Sequence, residues 1–424
     1  MSVKAVFKNT RLSFLLLAAA CFIYGLAGAP TPARIYYPEF AIAFCLGLLV
    51  LTGHGFGNVT FFSVSEKIER WKGFGLLLLV YGLTIPLIQG NLYSHGETAI
   101  LRDLIGFAFL LLPMLFVKHF RKIEGSENII VAILTVTGIF FALRFIYSVY
   151  KADPTLAFAS SLVDEHPVHI MLANAPTVLF SGIILISMAL KSFGAGLVSL
   201  LKTVLCAGLA GIAVLSAILA LQRASLVGIA LSFLVTLCIV SIKKPGKGSF
   251  LIAGSIALAI ILFPQILILA QQIVQKTVDV GFNSRIAELL AVTENLGGYW
   301  GGHFFGRGWG ASFLSPAAGY QEVTYTHNLF SAMWLKMGIP GVILTLGYCV
   351  SLSGYLFKSR LIFEHPAIWC ALFFPLIINV LFYANHKSLD FGLILLLISI
   401  YKQRYDPRIN YTPDIKKHDR DMSN

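Results

Sequence analysis

The chain predicts an all-α polytopic membrane protein, and three observations lead there. Of its 424 residues, 57% are hydrophobic and only 12% charged, with a mean hydropathy of +0.80. Apolar runs long enough to cross a bilayer recur along it, joined by short polar connections. Its lysines and arginines alternate in excess between those connections. A water-soluble domain cannot hide so large an apolar fraction, and about 20 apolar residues suffice for one helical crossing.

About twelve transmembrane helices are predicted, at roughly 12–29, 39–53, 72–89, 104–117, 129–150, 171–190, 197–221, 224–242, 250–269, 328–357, 362–383 and 389–402. The first run follows Lys4, Lys8 and Arg11. It reads as a retained helix, because no small-x-small cleavage site leads into a polar mature chain. Residues 1–402 thus form one helical domain, and the polar stretch 403–424 is expected to be a disordered cytoplasmic tail.

An even number of crossings puts both termini on one side. That side receives Lys4, Lys8, Arg11, Lys67, Arg70 and Lys72, then Lys118, Arg121, Lys122 and Lys191. It also receives Lys243, Lys244, Lys247, Lys358, Arg360 and six basic residues from Lys402 to Arg420. The other side holds Arg34, Arg102, Lys151, Arg223, Lys276, Arg285, Arg307 and Lys387, while Arg144, Lys202 and Lys336 fall within spans. The first set outnumbers the second more than two to one, and such an excess marks the cytoplasm. Both termini are therefore expected in the cytoplasm. The net charge of +12 belongs to these loops, so no nucleic-acid partner follows. All six cysteines lie in apolar segments, which argues against disulfides and a metal cluster.

The opposite face receives the segments 151–170 and 271–326. The second is the longest loop in the chain. Its run GGYWGGHFFGRGWG is the composition of an ordered, aromatic-lined surface, able either to stack on sugars or to anchor the loop at the interface. The loop leads into TYTHNLFSAMWLKMGIPG, residues 324–341, where polar sequence becomes apolar. His327 is expected at the mouth of a helix, whose positive N-terminal end favours a neutral imidazole able to accept a proton. Gly338 and Pro340 predict a kink. Lys336 falls on the helix face opposite His327, with no partner evident from sequence.

Arginines supply the second group of candidates. Asn283 or Ser284 is a natural N-cap for a helix that places Ile286, Leu289, Leu290 and Leu296 near one face. Arg285 stands in its first turn, where a cation is unfavourable unless an anion binds there, with Glu288 one turn on as a partial offset. Arg223 heads another helix at the outer surface, against the charge bias. Arg144 lies within a span near its outer end, a costly position with a functional default. Asn385, His386, Lys387 and Asp390 make a polar cluster on the last outer turn. Asp164, Glu165 and Asp279 are too scattered to hold a divalent metal. A lipid-linked sugar diphosphate suits this set, because guanidiniums can stabilise the leaving diphosphate and a histidine can deprotonate an incoming hydroxyl.

The chain resembles the bacterial O-antigen ligases of the O-antigen ligase/polymerase superfamily. His327-Asn328 followed after nine residues by Gly338-x-x-Gly341, Ser284-Arg285 opening the large loop, and Gln222-Arg223 heading a helix carry the resemblance. It implies a membrane glycosyltransferase of GT-C-like architecture in the bacterial inner membrane, with a periplasmic active site. Such ligases move O-antigen glycan from undecaprenyl diphosphate to lipid A–core without metal or nucleotide cofactor. His327 would be the base, Arg285 and Arg223 would hold the diphosphate, and Asn328 belongs to the same motif. Arg144 and Lys387 join as substrate-binding candidates from burial and position. The loop is short for a ligase, so a polymerase of the superfamily is the second reading. A twelve-helix transporter is the third, but it would show two related halves with midplane sites.

Overall fold

The computed structural model describes residues 3–28, 37–52, 69–152, 171–194, 196–280, 283–357 and 360–405. Asp164 and Glu165, the loop bases Arg34, Lys67 and Lys358, and the tail from 406 onward lie outside the described residues. Helices make up nearly all of what is described. The strands Phe313–Ser315 and Gln321–Val323 pair antiparallel in one short hairpin.

Among the described residues, six helices are long and apolar enough to cross a membrane, or up to seven if one bent pair is a single span. Four shorter apolar helices join them: Arg11–Leu26, Tyr37–Thr52, Pro176–Ser192 and Pro366–Leu381. The chain is therefore an all-α membrane-embedded protein. Its last helix, Leu389–Tyr405, runs three residues past the expected end of the helical domain, and Arg404 pairs there with Glu127. This helix is apolar on every side, and Phe391 and Leu393 to Ile398 are buried. A helix without a polar face belongs in the middle of a bundle, and here it packs against much of the large core.

Three spans that the sequence draws as continuous are broken. The first divides into Arg70–Gly82 and Ile85–Leu92, and the second into Glu97–Leu110 and Leu112–Arg121. The third, expected at 250–269, becomes Pro245–Ile261 and Phe263–Val280, with a 70° bend between them. Pro86, Pro113 and Pro264 each stand at the second position of the following helix. Proline lacks an N–H and its ring clashes with the carbonyl one turn back, so the preceding helix stops and a new one starts.

A fourth break lies inside Leu329–Ser353, at Gly338, as the glycine and Pro340 predict. Gly338 has φ 65° and ψ −166°, a region open essentially to glycine. The loop around Gly306 enters this notch. Arg307 N–H donates to Leu335 O (2.8 Å), Gly308 N–H to Lys336 O (3.0 Å), and the Tyr81 hydroxyl to Met337 O (2.9 Å). Trp309 does the same for the other broken helix, its backbone N–H reaching Pro86 O and its indole N–H reaching Gly82 O (2.7 Å). The glycine-rich run is thus a plug that donates to carbonyls at and beside two helix breaks. Trp309 is 2% exposed, which removes it as a sugar-stacking platform.

Gly338→Ala should be strongly destabilising. A Cβ there runs into the Phe304 carbonyl and the backbone conformation is forbidden to alanine, together costing upward of about 1–3 kcal/mol. Gly354→Ala, with φ −58° and no atom near a new Cβ, should be close to neutral. Thermal unfolding in detergent compares them.

Candidate active site

His327 stands one residue before the N-cap of Leu329–Ser353. Its Nδ1 lies 2.9 Å from Glu288 Oε1, and its backbone N–H donates to Glu288 Oε2 at 3.1 Å. A carboxylate can only accept, so the neutral ring carries its proton on Nδ1 and leaves Nε2 with a lone pair. Ser315 Oγ donates to the same carboxylate at 3.2 Å, from the strand that packs on the Asn283–Gly297 helix. Glu288 is 1% exposed and His327 21%. A small core of Val292, Leu296, Ala311, Phe313 and Leu335 clamps the helix, the hairpin and the broken helix together. Fixing those three elements fixes the imidazole.

The helix that supplies Glu288 does not keep on one face the four apolar residues that the sequence groups there. Val292 and Leu296 do face inward, but Ile286, Leu289 and Leu290 are 61%, 42% and 58% exposed. Glu288 occupies the inner face instead, because its ligands lie there. Burial raises the cost of the Glu288 charge, yet the hydrogen bonds from His327 and the nearby Arg285 outweigh it and hold the carboxyl below its usual range. Arg285 is half-buried rather than an exposed partner of Glu288. Burial pushes its guanidinium down, with Glu288 opposing that shift and Arg223 adding to it. Arg223 heads the Arg223–Lys243 helix, and both guanidiniums bear on the Tyr383 hydroxyl. His327, Glu288, Arg285 and Arg223 therefore form one connected neighbourhood. Tyr325 completes it, with its ring edge-on to the imidazole at 5.7 Å and its hydroxyl near Arg285 and Glu288.

The other candidates are held by contacts within the protein. The Asn328 side chain accepts from Ser331 N–H at 2.7 Å, so it caps the helix behind His327, a contact worth about 1 kcal/mol. Arg144 Nη1 donates to the Gly25 and Gly28 carbonyls at 2.9 and 2.8 Å, closing the C-terminal end of the first helix. Those carbonyls have no helical acceptor role left, which is why a half-buried arginine is tolerated there. Lys387 donates to Asp103 Oδ1 at 2.9 Å and to Thr324 O at 3.2 Å. Asp103 is the partner of Lys336 that the sequence left unnamed, and it also accepts from Gly310 N–H at 2.8 Å. Arg102 reaches Thr324 Oγ1 from the same helix. These contacts pin the strand of chain that carries His327 from the side opposite Glu288.

Of the remaining polar cluster, Asp390 accepts from Tyr24, from the Thr177 hydroxyl and from Thr177 N–H, joining three helices. Burial pushes His386 down to about 3, which disqualifies it as a base at neutral pH. Burial likewise lowers His95, whose ring contacts the Arg307 carbonyl at 3.0 Å. Among the described residues, no three His, Cys, Asp or Glu side chains gather as metal ligands. Glu288 is the site residue that sequence reasoning undervalued. It stands 39 positions from His327, and its only local signal was its place one turn after Arg285.

No protein-family model matches the chain, and no curated protein matches it in sequence.

Glu288 has a lowered pKa in the folded protein, so the stability it contributes is present above its ordinary value near ~4.3 and lost as pH falls through the folded value. The unfolding temperature of the wild type should exceed that of Glu288→Gln at neutral pH, and the gap should close as pH falls below the ordinary carboxylate range. A gap independent of pH would contradict that linkage. Asp103→Asn should cost about 3–5 kcal/mol, because it strands the buried ammonium of Lys336 and the half-buried one of Lys387. Asp103→Leu combined with Lys336→Met should regain part of that loss, read from the same melting curves.

Proposed function

We propose that the protein is an O-antigen ligase, a metal-independent inverting glycosyltransferase. Its donor is an undecaprenyl-diphosphate-linked glycan and its acceptor a sugar hydroxyl of lipid A–core. The reaction takes place at the periplasmic face of the bacterial inner membrane, in a twelve-helix chain with both termini cytoplasmic. The observation that carries this reading is the junction of an oriented imidazole with two guanidiniums, His327 on Glu288 beside Arg285 and Arg223.

In the proposed reaction, Nε2 of His327 takes the proton from the acceptor hydroxyl as its oxygen attacks the anomeric carbon. The bond from that carbon to the diphosphate oxygen breaks, and the diphosphate departs with the electron pair. Arg223 and Arg285 bind its growing negative charge where water is scarce and their charge counts most. Attack from the face opposite the leaving group inverts the anomeric centre. Glu288 keeps the ring in the productive tautomer and stabilises the imidazolium that forms, as carboxylates do beside catalytic histidines.

Purified protein supplied with labelled lipid-linked glycan and lipid A–core should join the two without an ion gradient. Lengthening of glycan chains on undecaprenyl diphosphate instead would assign it as a polymerase, and no transfer of either kind would sink the reading. His327→Ala should insert and fold yet lose transfer by about 10²–10⁴-fold or more. Arg223→Lys and Arg285→Lys should be severely impaired, because an ammonium cannot reproduce the bidentate fork.

A further inference from the structure

Two consecutive helices of the outer loop carry apolar side chains on the outside. In Phe263–Val280, Phe263, Ile266, Leu267 and Val274 share one half of the helical wheel, and Gln265, Gln271, Gln272 and Gln275 share the other with the exposed Ile268 among them. Those four apolar side chains are exposed. In Asn283–Gly297 the exposed Ile286, Leu289 and Leu290 are spaced i, i+3 and i+4, so they form one stripe, while the charged Glu288 points inward. A loop bathed only in water would have the reverse arrangement, because each large apolar side chain left in water forgoes roughly 1.5–3 kcal/mol.

What covers these faces follows from where they begin. Pro245–Ile261 packs one face, that of Gly248, Leu251 and Ser255, on the preceding helix and leaves the rest apolar and open, with Phe250, Ile256, Leu258, Ile260 and Ile261 all uncovered, as suits a helix in lipid. The apolar surface continues through Leu262 and Phe263 into the next helix without a polar gap. The 70° bend turns that helix most of the way from the axis of the crossing towards the plane of the bilayer. A two-sided helix in that plane is the form that beds its apolar half at the boundary between headgroups and acyl chains.

We infer that Phe263–Val280 and the Ile286, Leu289, Leu290 stripe form one seat on the membrane surface, bedded in the leaflet that the candidate site faces. The seat holds Arg285, Glu288 and His327 at the depth of lipid headgroups. It rests on side-chain placement alone and stands whether or not the protein transfers glycans.

Ile266→Cys, Leu290→Cys and Gln272→Cys test it, each reacted with a membrane-impermeant maleimide in nanodiscs that hold a single copy. The unsubstituted protein supplies the background from its own six cysteines. All three positions are open on the protein itself, so any shielding must come from outside the chain. Gln272→Cys should label readily, and the other two at least about tenfold more slowly. Equal rates at the three positions overturn the seat. Protection of Ile266→Cys and Leu290→Cys only in discs with two copies also overturns it and assigns the face to a second protomer.

Discussion

The carbonyls of Leu335, Lys336 and Met337 lose their helical partners at Gly338, and the rest of the outer half is arranged around that deficit. In a membrane protein, a main-chain acceptor with no donor costs several kcal/mol, and no water is at hand to relieve it. The Gly306–Trp309 run supplies N–H groups to this break and to the one near Pro86, so a loop that could have remained on the surface is drawn into the bundle. With the plug seated, Gly310 N–H meets Asp103, and Asp103 gathers Lys336 and Lys387. Lys387 and Arg102 in turn grip Thr324, three residues from His327. The position of the imidazole is thus a consequence of how two broken helices are repaired.

Charge is distributed differently in the two clusters, and that separates their roles. Around Asp103, the carboxylate and the Lys336 ammonium are buried and Lys387 is nearly so, which suits a fastening. Around Glu288, one carboxylate binds an imidazole that is still partly exposed and lies in the field of Arg285, which also senses Arg223. Two guanidiniums against one carboxylate leave a net positive field beside a partly exposed ring. An anion entering there gains from both arginines, and the ring is already aimed by the carboxylate behind it.

Parts of this were legible in the chain and parts were not. The apolar runs, the kink at Gly338 and the placing of His327 ahead of a helix follow from local composition and spacing, which the fold preserves. Arg144 and Lys387 were chosen because polar groups near a membrane face are expensive, and Asn328 because it adjoins His327 in one motif. That reasoning detects a need for partners without identifying them, and the partners turned out to be carbonyls, a helix end and Asp103. Trp309 misled in the same way. An aromatic-rich loop looks alike whether its rings face outward, as Trp300 does, or seal a gap inside.

By itself, the sequence determined that the chain is helical and made for a bilayer, because hydrophobicity and its run lengths are properties of neighbouring residues. It also marked the break at Gly338 and Pro340, since glycine and proline act on their own backbone, although it drew three other spans that prolines interrupt as continuous. Only the tertiary structure decided which acid meets His327, which acid meets Lys336, and which face of the Asn283–Gly297 helix turns inward. Those pairings join residues up to hundreds of positions apart, and they depend on which helices come to lie side by side, which no local pattern encodes.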